Sequence, residues 1–324
     1  MNLRMLLGMA VAAALAACGD PAGNPAAPRK ISVQLNWVPE PEFGGLYAAA
    51  QDGLFRDAGL QVDIIRSTGG TAVPQLVAQG VCDVGFVSGD QILTLREQGG
   101  EIVAVFNVFD GSPYGFMVHA KDAPASLEAM WKGRGKVACE SGLPVIRFIE
   151  ATYGPSARQV VPWGGNLAAF QADPTMAAQC FITAEPVQMD LAKVPVKVLS
   201  LAEAGYDPYT VVMAVKPGRI PAEALRKFVA ANQEGWKRYL ADPAKYNPGI
   251  AALNPAMSLE AMNLAAERMK PLMLTAWTAK QGVGSMDPAR WKSMSDTLQR
   301  LGVLKQTHDP ATVMAWPLAE APAR

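Results

Sequence analysis

The chain has little of what catalytic and metal sites commonly use. Only two histidines, His119 and His308, occur in 324 residues, so a histidine-based metal site or catalytic triad has almost nothing to draw on. The four cysteines are irregularly spaced and match no metal-ligand pattern. Cys82, Cys139 and Cys180 are therefore expected to be small buried residues, with one disulfide among them as the alternative.

An excess of charge of one sign is also lacking. The sequence has 29 Lys and Arg residues against 29 Asp and Glu residues, whereas a protein that binds nucleic acid needs a basic face. After the N-terminus, no apolar run is long enough to span a bilayer. Because half of the residues are hydrophobic, we expect a globular protein with sizeable cores and no nucleic-acid partner.

The first 17 residues have the layout of a secretory signal, with Arg4 ahead of a short apolar run. The tetrapeptide Leu15-Ala16-Ala17-Cys18 resembles a lipobox, which predicts that Cys18 is lipidated and becomes the first mature residue. An ordinary signal followed by an incidental cysteine is the alternative. Residues 18–29 then form a flexible tether rich in Pro and Ala. The predicted location is the periplasm, with Cys18 anchoring the protein to a bacterial membrane.

Strand and helix patterns alternate from residue 30 onward. Apolar alternation predicts strands at 31–37 and 60–64. Further strands are predicted at 83–87 and, as a buried strand, at 102–108, with helices between the strands. After the turn cluster 110–113, a second set includes strands at 114–119, 136–139, 159–162, 179–183 and 196–199, and a further strand at 211–215 leads back. This alternation predicts an α/β fold of mostly parallel sheets flanked by helices, whose ligands bind beyond the carboxyl ends of the strands.

The segment 34–70, QLNWVPEPEFGGLYAAAQDGLFRDAGLQVDIIRSTGG, holds a strand, an acidic and aromatic loop, a Gly-Gly helix entry and a second strand. It resembles the opening of the NMT1/THI5-like family of periplasmic solute-binding proteins, which includes aliphatic-sulfonate, nitrate and thiamine-pyrimidine binders. The resemblance implies a two-lobed type II binding-protein fold with a two-strand hinge. Lobe one is predicted at 30–113 plus 214–324 and lobe two at 114–213, with closure over a ligand as the working motion.

Twelve residues are candidates for ligand contact, because they lie at or just beyond predicted strand ends or near the hinge. They are Trp37, Glu42, Phe43, Tyr47, Gly69, Gly70, Ser88, Asp90, Tyr114, Ser141, Trp163 and Glu185. Each has a structural alternative, since aromatic residues often form core, glycines serve tight turns, and Ser or Asp can cap a helix. No catalytic residue, metal ligand or cofactor is predicted.

Acids dominate the predicted cleft. Six of them, and no Arg or Lys, stand at the expected positions: Glu40, Glu42, Asp90, Asp110, Glu140 and Glu185. A bound sulfonate or nitrate would need cationic or N–H donors. The pattern therefore favours a ligand with donor groups or positive charge, such as an amine or an aminated heterocycle stacked on Trp or Tyr. Pyrimidine-binding relatives carry a histidine in the loop matching 41–47, and its absence here argues against a pyrimidine.

The expected function is the binding component of an ABC importer, a monomer whose partners are a small-molecule ligand, a permease and an ATPase. A sensory or chaperoning lipoprotein without a transporter is one alternative. Another is an enzyme like the eukaryotic family members that make the thiamine pyrimidine. The resemblance implies that those members use a histidine and a cysteine-rich motif, both missing here, so no enzymatic activity is expected.

Lipidation of Cys18 can be tested by substitution. Cys18→Ser removes the thiol that would carry the lipid, so we expect the variant to leave the membrane fraction or to keep its signal uncut. Cell fractionation and gel mobility measure both outcomes, and Cys82→Ser, the cysteine control, should stay with the membrane. A Cys18→Ser variant that fractionates and migrates like the wild type would contradict the assignment.

Overall fold

The computed structural model describes residues 28–67 and 71–316. The predicted signal, Cys18 and most of the tether lie outside these residues, as do Gly69 and Gly70, so what was expected of them stays a prediction. Within the described ranges, no helix is both long and apolar enough to cross a membrane.

The described chain alternates strands with helices, as predicted. The strands are β1 (Arg29–Gln34), β2 (Leu60–Ile65), β3 (Val84–Val87), β4 (Val103–Asn107), β5 (Tyr114–His119), β6 (Lys136–Cys139), β7 (Gln159–Pro162), β8 (Ala177–Phe181), β9 (Val196–Ser200) and β10 (Val212–Val215). The helices are α1 (Gly44–Gln51), α2 (Leu54–Asp57), α3 (Val73–Gln79), α4 (Gly89–Glu97), α5 (Leu127–Lys132), α6 (Val145–Tyr153), α7 (Leu167–Ala172), α8 (Glu185–Leu191), α9 (Ala222–Ala241), α10 (Pro243–Ala251), α11 (Leu259–Met273), α12 (Ala276–Gln281), α13 (Pro288–Arg300) and α14 (Pro310–Val313).

These strands form two five-stranded sheets with the same layout. The first has the order β2-β1-β3-β10-β4 and the second the order β7-β6-β8-β5-β9. In the first sheet β10 is antiparallel to both neighbours, and in the second sheet β5 is. The other strands of each sheet run in one direction, so the prediction of two lobes with mostly parallel sheets is confirmed. We call the elements around these sheets the first lobe and the second lobe.

The reversed strands are those that the chain forms directly after crossing between the lobes: β5 after the first crossing and β10 after the return. The chain passes from β4 to β5 through residues 108–113 and returns from β9 to β10 through 201–211. The exact lobe limits at 113/114 and 213/214 remain a prediction.

Arg290, on α13, links the two crossing segments. Its Nε donates to the carbonyl oxygen of Asp207 at 3.1 Å and its Nη2 to the Asp207 carboxylate at 2.7 Å. Its Nη1 donates to the carbonyl oxygen of Asp110 in the other segment. The guanidinium also lies over the Tyr209 ring, 4.2 Å from the centroid. One side chain therefore links both crossing segments, and Asp110 lies in the first of them, where its carbonyl oxygen is held by Arg290.

Close packing of α1 on α9 fixes the start of the first lobe. Phe228, Val229 and Trp236 lie on the buried face of α9. A Cβ atom built at Gly235 would lie 2.7 Å from Ala49 Cβ and even closer to the Gly45 carbonyl oxygen. The glycine is needed because the two helix backbones approach too closely for any side chain. This contact anchors the loop that leads from β1 into α1.

The three described cysteines, Cys82, Cys139 and Cys180, are buried and free. The interpretation of these residues as small buried side chains is confirmed, and the disulfide alternative is wrong.

Gly235→Ala should destabilise the fold by about 1–3 kcal/mol, the usual cost of overpacking a close-packed interior. Gly249→Ala is the matched control: it lies in α10, is exposed, and its nearest neighbour would be 3.6 Å away. Because alanine favours helix, we expect the control to be neutral or slightly stabilising. Denaturant unfolding measures both variants. Equal free energies of unfolding would show that the contact between α1 and α9 has room for a side chain at position 235.

Candidate functional site

The carboxyl ends of strands from both sheets face a cleft between the lobes. Trp37 follows β1, Glu140 follows β6, Trp163 follows β7 and Glu185 follows β8. All four line one space of about 420 Å³, part of it open to solvent. Each sheet thus directs its strand ends at the other, as expected for a ligand site in an α/β fold.

This space, which we call the acidic compartment, combines carboxyl groups with aromatic rings. Its lining is Asn36, Trp37, Glu40, Glu42, Glu140, Trp163, Gln179, Cys180, Phe181, Ala184 and Glu185. No Lys, Arg or His is found among these described lining residues. Nor do the described parts of the chain place three or more His, Cys, Asp or Glu side chains so that they could hold a metal ion.

Proline shapes the loop that supplies Glu40 and Glu42. Glu40 is extended, and Pro41–Phe43 then forms one 3₁₀ turn that leads directly into α1. Asn254 Nδ2 fixes the loop by donating to the Pro39 carbonyl oxygen at 3.0 Å. Both glutamates are only 7% exposed.

The same turn corrects one predicted ligand contact, that of Phe43. Phe43 is fully buried in the core of the first lobe, and its ring meets Phe86 edge-to-face with centroids 4.9 Å apart. Tyr47, about one helical turn later, packs against the same core. The tight entry into α1 places Glu42 against the cleft and Phe43 in the core. The predicted ligand contact of Phe43 is therefore wrong. Tyr47 is only half-buried, so its contact with the ligand stays a prediction.

Burial is the main influence on the carboxyl groups of the acidic compartment. It raises the pKa of Glu42 to about 8, with added repulsion from Glu185 and Glu140. Burial also raises the pKa of Glu185 to about 7, although hydrogen bonds from Phe181 N, at 3.0 Å, and from the Trp163 side chain oppose the rise. The pKa of Glu40 is raised well above its usual range by burial and by Glu42 and Glu185. These groups hold protons at pH values where exposed glutamates have lost them.

Gln179 is a buried amide in the middle of β8. Its Oε1 accepts hydrogen bonds from Glu140 N at 2.7 Å and from Cys139 Sγ at 3.2 Å. Because the oxygen is fixed in this way, the amide nitrogen is fixed too. Within the described ranges no residue accepts a hydrogen bond from that nitrogen, and Gln179 lines the acidic compartment and the space beside it.

The adjoining space of about 510 Å³, part of it open to solvent, is called the polar compartment and is lined by Ser88, Asp90, Tyr114 and Thr210 among others. Asp90 is 2% exposed and accepts from Ser88 Oγ, from Tyr206 Oη and from Gln91 N, the last at 2.8 Å. Thr210 Oγ1 is buried and has no hydrogen-bond partner among the described residues. Neutral hydroxyl groups are therefore available here for a ligand.

The structure brings together most of the sequence candidates that it describes. Trp37, Glu42, Trp163 and Glu185 line the acidic compartment, and Ser88, Asp90 and Tyr114 line the polar one. Ser141 is exposed and lines outer spaces at the cleft mouth. Sequence reasoning missed Asn36, Gln179 and Thr210. For Gln179 a signal exists, because it is a lone amide within the apolar strand AAQCF.

The NMT1/THI5-like family model matches residues 40–246. The chain belongs to this family. Among curated relatives, a formylaminopyrimidine-binding protein of Halalkalibacterium halodurans is 27% identical over 150 residues, which is 45% of each chain. The 4-amino-5-hydroxymethyl-2-methylpyrimidine phosphate synthase THI11 of Saccharomyces cerevisiae is 24% identical over 235 residues, covering 67% of this chain and 68% of its own.

Solved structures show the same fold. The periplasmic aliphatic sulphonate binding protein SsuA of Escherichia coli superposes with a TM-score of 0.64 at 14% identity, covering 92% of this chain and 95% of its own. The alkanesulfonate-binding SsuA of Xanthomonas axonopodis pv. citri, bound to MOPS, gives 0.63 at 14% identity, covering 89% and 99%. The predicted two-lobed binding-protein fold is thereby confirmed.

Tyr206→Phe tests the hydrogen-bond network around Asp90. The variant removes the hydroxyl that donates to a fully buried carboxylate, so we expect a loss of about 1–3 kcal/mol in the free energy of unfolding. Tyr153→Phe, at a half-buried position, should change it by less than about 0.5 kcal/mol. Urea unfolding of the two variants makes the comparison, and equal small losses would rule out a supporting role for the hydroxyl.

Proposed function

We propose that this protein is the solute-binding component of an ABC importer and that it carries a small amine-bearing aromatic or polar ligand in the interlobe cleft. It would act in the periplasm as a monomer, with a permease and an ATPase as partners. The observation that carries the proposal is the acidic compartment, in which four carboxyl groups and two tryptophans line one space without a basic side chain among the described lining.

The chemistry of this compartment favours a donor or cation over an anion. A charged N–H group gains charge-assisted hydrogen bonds from carboxylates, and tryptophan faces attract cations and planar rings. A sulfonate would meet repulsion from carboxylates in a desolvated space. The SsuA proteins are sulfonate binders by name, but at 14% identity the likeness supports the fold and leaves the ligand open.

A pyrimidine-like ligand with an exocyclic amine satisfies the same chemistry. The formylaminopyrimidine-binding relative supports this class, while the missing histidine in loop 41–47 argues that the contacts differ from those of pyrimidine binders. An aminated heterocycle stacked between Trp37 and Trp163, with its amine at Glu42 or Glu185, is the form of the proposal we favour.

The yeast synthase relatives are the reason to consider an enzyme. Both histidines of this chain lie outside the acidic and polar compartments. His119 stacks on Phe170 with centroids 4.4 Å apart, and His308 pairs with Glu97. A histidine-dependent reaction would therefore have no imidazole at the candidate site. A sensory lipoprotein would use the same cleft, but deletion of its gene would leave uptake of the ligand unaffected.

The function can be tested by screening the purified protein with amines, pyrimidines, flavins, sulfonates and amino acids in thermal-shift assays. A ligand at 100 times its dissociation constant should stabilise the fold by about 2.7 kcal/mol. We expect amine-bearing compounds to do so, and deletion of the gene to abolish uptake of the same compound. Stabilisation by sulfonates alone would contradict the ligand class, and undiminished uptake would contradict the importer role.

Trp37→Ala should weaken binding of the best compound by about 1–3 kcal/mol, because it removes one aromatic wall of the compartment. Trp277→Ala, on α12, is the control and should leave the affinity unchanged. Calorimetric titration measures the affinity of both variants for the compound. If the Trp37 variant binds as tightly as the wild type, this ring does not contact the ligand.

A further inference from the structure

Carboxyl groups from both lobes meet in the acidic compartment. Glu40 and Glu42 come from the first lobe, and Glu140 and Glu185 come from the second. The other groups lining the space are the rings of Trp37 and Trp163 and neutral side chains such as Gln179. Closing the cleft therefore moves negative charges toward each other with no cation among the described lining to separate them.

Helix α8 connects these charges to the contact between the lobes. Its first residue is Glu185, and Val187, within the first turn, is fully buried in the hydrophobic core cluster of the first lobe. Farther along, Asp190 forms an ion pair with Arg268 on α11 of the first lobe. Because all three residues belong to one short helix, moving Glu185 away from Glu42 would also break the apolar and ionic contacts between the lobes.

Two buried polar groups in the cleft, one of them uncharged, also point to a ligand. Glu42 is 7% exposed, and none of the described residues donates a hydrogen bond to its carboxylate. Thr210 Oγ1 is buried in the adjoining polar compartment without a partner among the same residues, and Thr210 is 5% exposed. Burying such groups unpaired costs free energy. A ligand that donates hydrogen bonds would remove that cost.

We propose that positive charge is the condition for closure of this cleft: the lobes close around the cationic group of a ligand or, without a ligand, around protons held by Glu42 and Glu185. The ligand part of this inference rests on the proposed function, whereas the proton part rests on the cleft alone. The ligand class is then a planar ring with N–H donors that is cationic when bound, as an aminated heterocycle is when its ring takes up a proton. A neutral isostere would fit the same volume without closing the cleft.

Stability and affinity should depend on pH in opposite directions. Burial raises the pKa of Glu42 to about 8 and of Glu185 to about 7, from the ordinary value of 4.5. The closed form therefore keeps protons that the unfolded chain loses, so their stabilisation is complete below about pH 4.5 and is lost as pH rises through about 7–8. A cation binds the deprotonated carboxylates and displaces these protons, so its affinity should rise through the same window.

Small-angle scattering of the ligand-free protein tests the proton part. The wild type should be compact at about pH 5.5 and expanded at about pH 9. The double variant Glu42→Gln, Glu185→Gln should be compact at both pH values, because its amides cannot ionise. Glu101→Gln, an exposed control, should behave as the wild type. A wild-type radius of gyration that does not change with pH, or a double variant that still expands, would overturn the proposal.

Two probes of nearly equal shape test the cation part at about pH 9. Benzamidinium is a planar cation with N–H donors, and benzamide is its neutral counterpart. At millimolar concentration benzamidinium should return the wild type to the compact radius, and benzamide should not. Failure of benzamidinium, or an equal effect of both probes, would overturn the claim that cationic charge replaces the protons. Neither result touches the importer proposal, which stands or falls on the compound screen and on uptake.

Discussion

A carboxyl group removed from water must find a positive charge, hydrogen-bond donors or a proton, because an isolated buried charge costs far more free energy than a fold can spare. In this protein the described residues provide few such partners to two of the four cleft carboxyl groups, those of Glu42 and Glu185. Glu42 receives no hydrogen bond from them, and Glu185 receives those of Phe181 N and the Trp163 side chain. The rest of the cleft can be understood from this constraint, since the tryptophan walls, the neutral amides and the lack of basic lining all leave room for a donor that comes from outside.

The fold turns that local constraint into a relation between two lobes. Two sheets of the same layout aim their strand ends at one cleft, and a reversed strand in each sheet marks where the chain crosses. Arg290 holds both crossing segments on the side of the hinge, while α8 carries a cleft carboxyl group and the contacts to the first lobe. Charge in the cleft and the distance between the lobes are thus connected through short, rigid elements, as in hinge-type closure around a ligand.

Sequence patterns predict the architecture well, because alternating apolar residues and turn chemistry are local signals. Strand β6, for example, was predicted with its observed limits. Phe43 was assigned to the wrong side, since a single 3₁₀ turn decides whether neighbouring residues face core or cleft. Gln179 was missed because the predicted strand at 179–183 placed it at a strand start, whereas it lies in the middle of β8. Partners that converge from distant strands, such as Asn36 and Thr210, leave no local pattern to detect.

Family membership and fold are shared with proteins named for sulfonates and for pyrimidines, so the ligand has to be argued from the cleft itself. The most direct measurement is a crystal structure of this protein with the most stabilising compound from the screen. We expect a planar ligand between Trp37 and Trp163, with donor groups within hydrogen-bond distance of Glu42 and Glu185. A ligand that places an anionic or acceptor group against those carboxyl groups, or that binds outside the interlobe cleft, would contradict it.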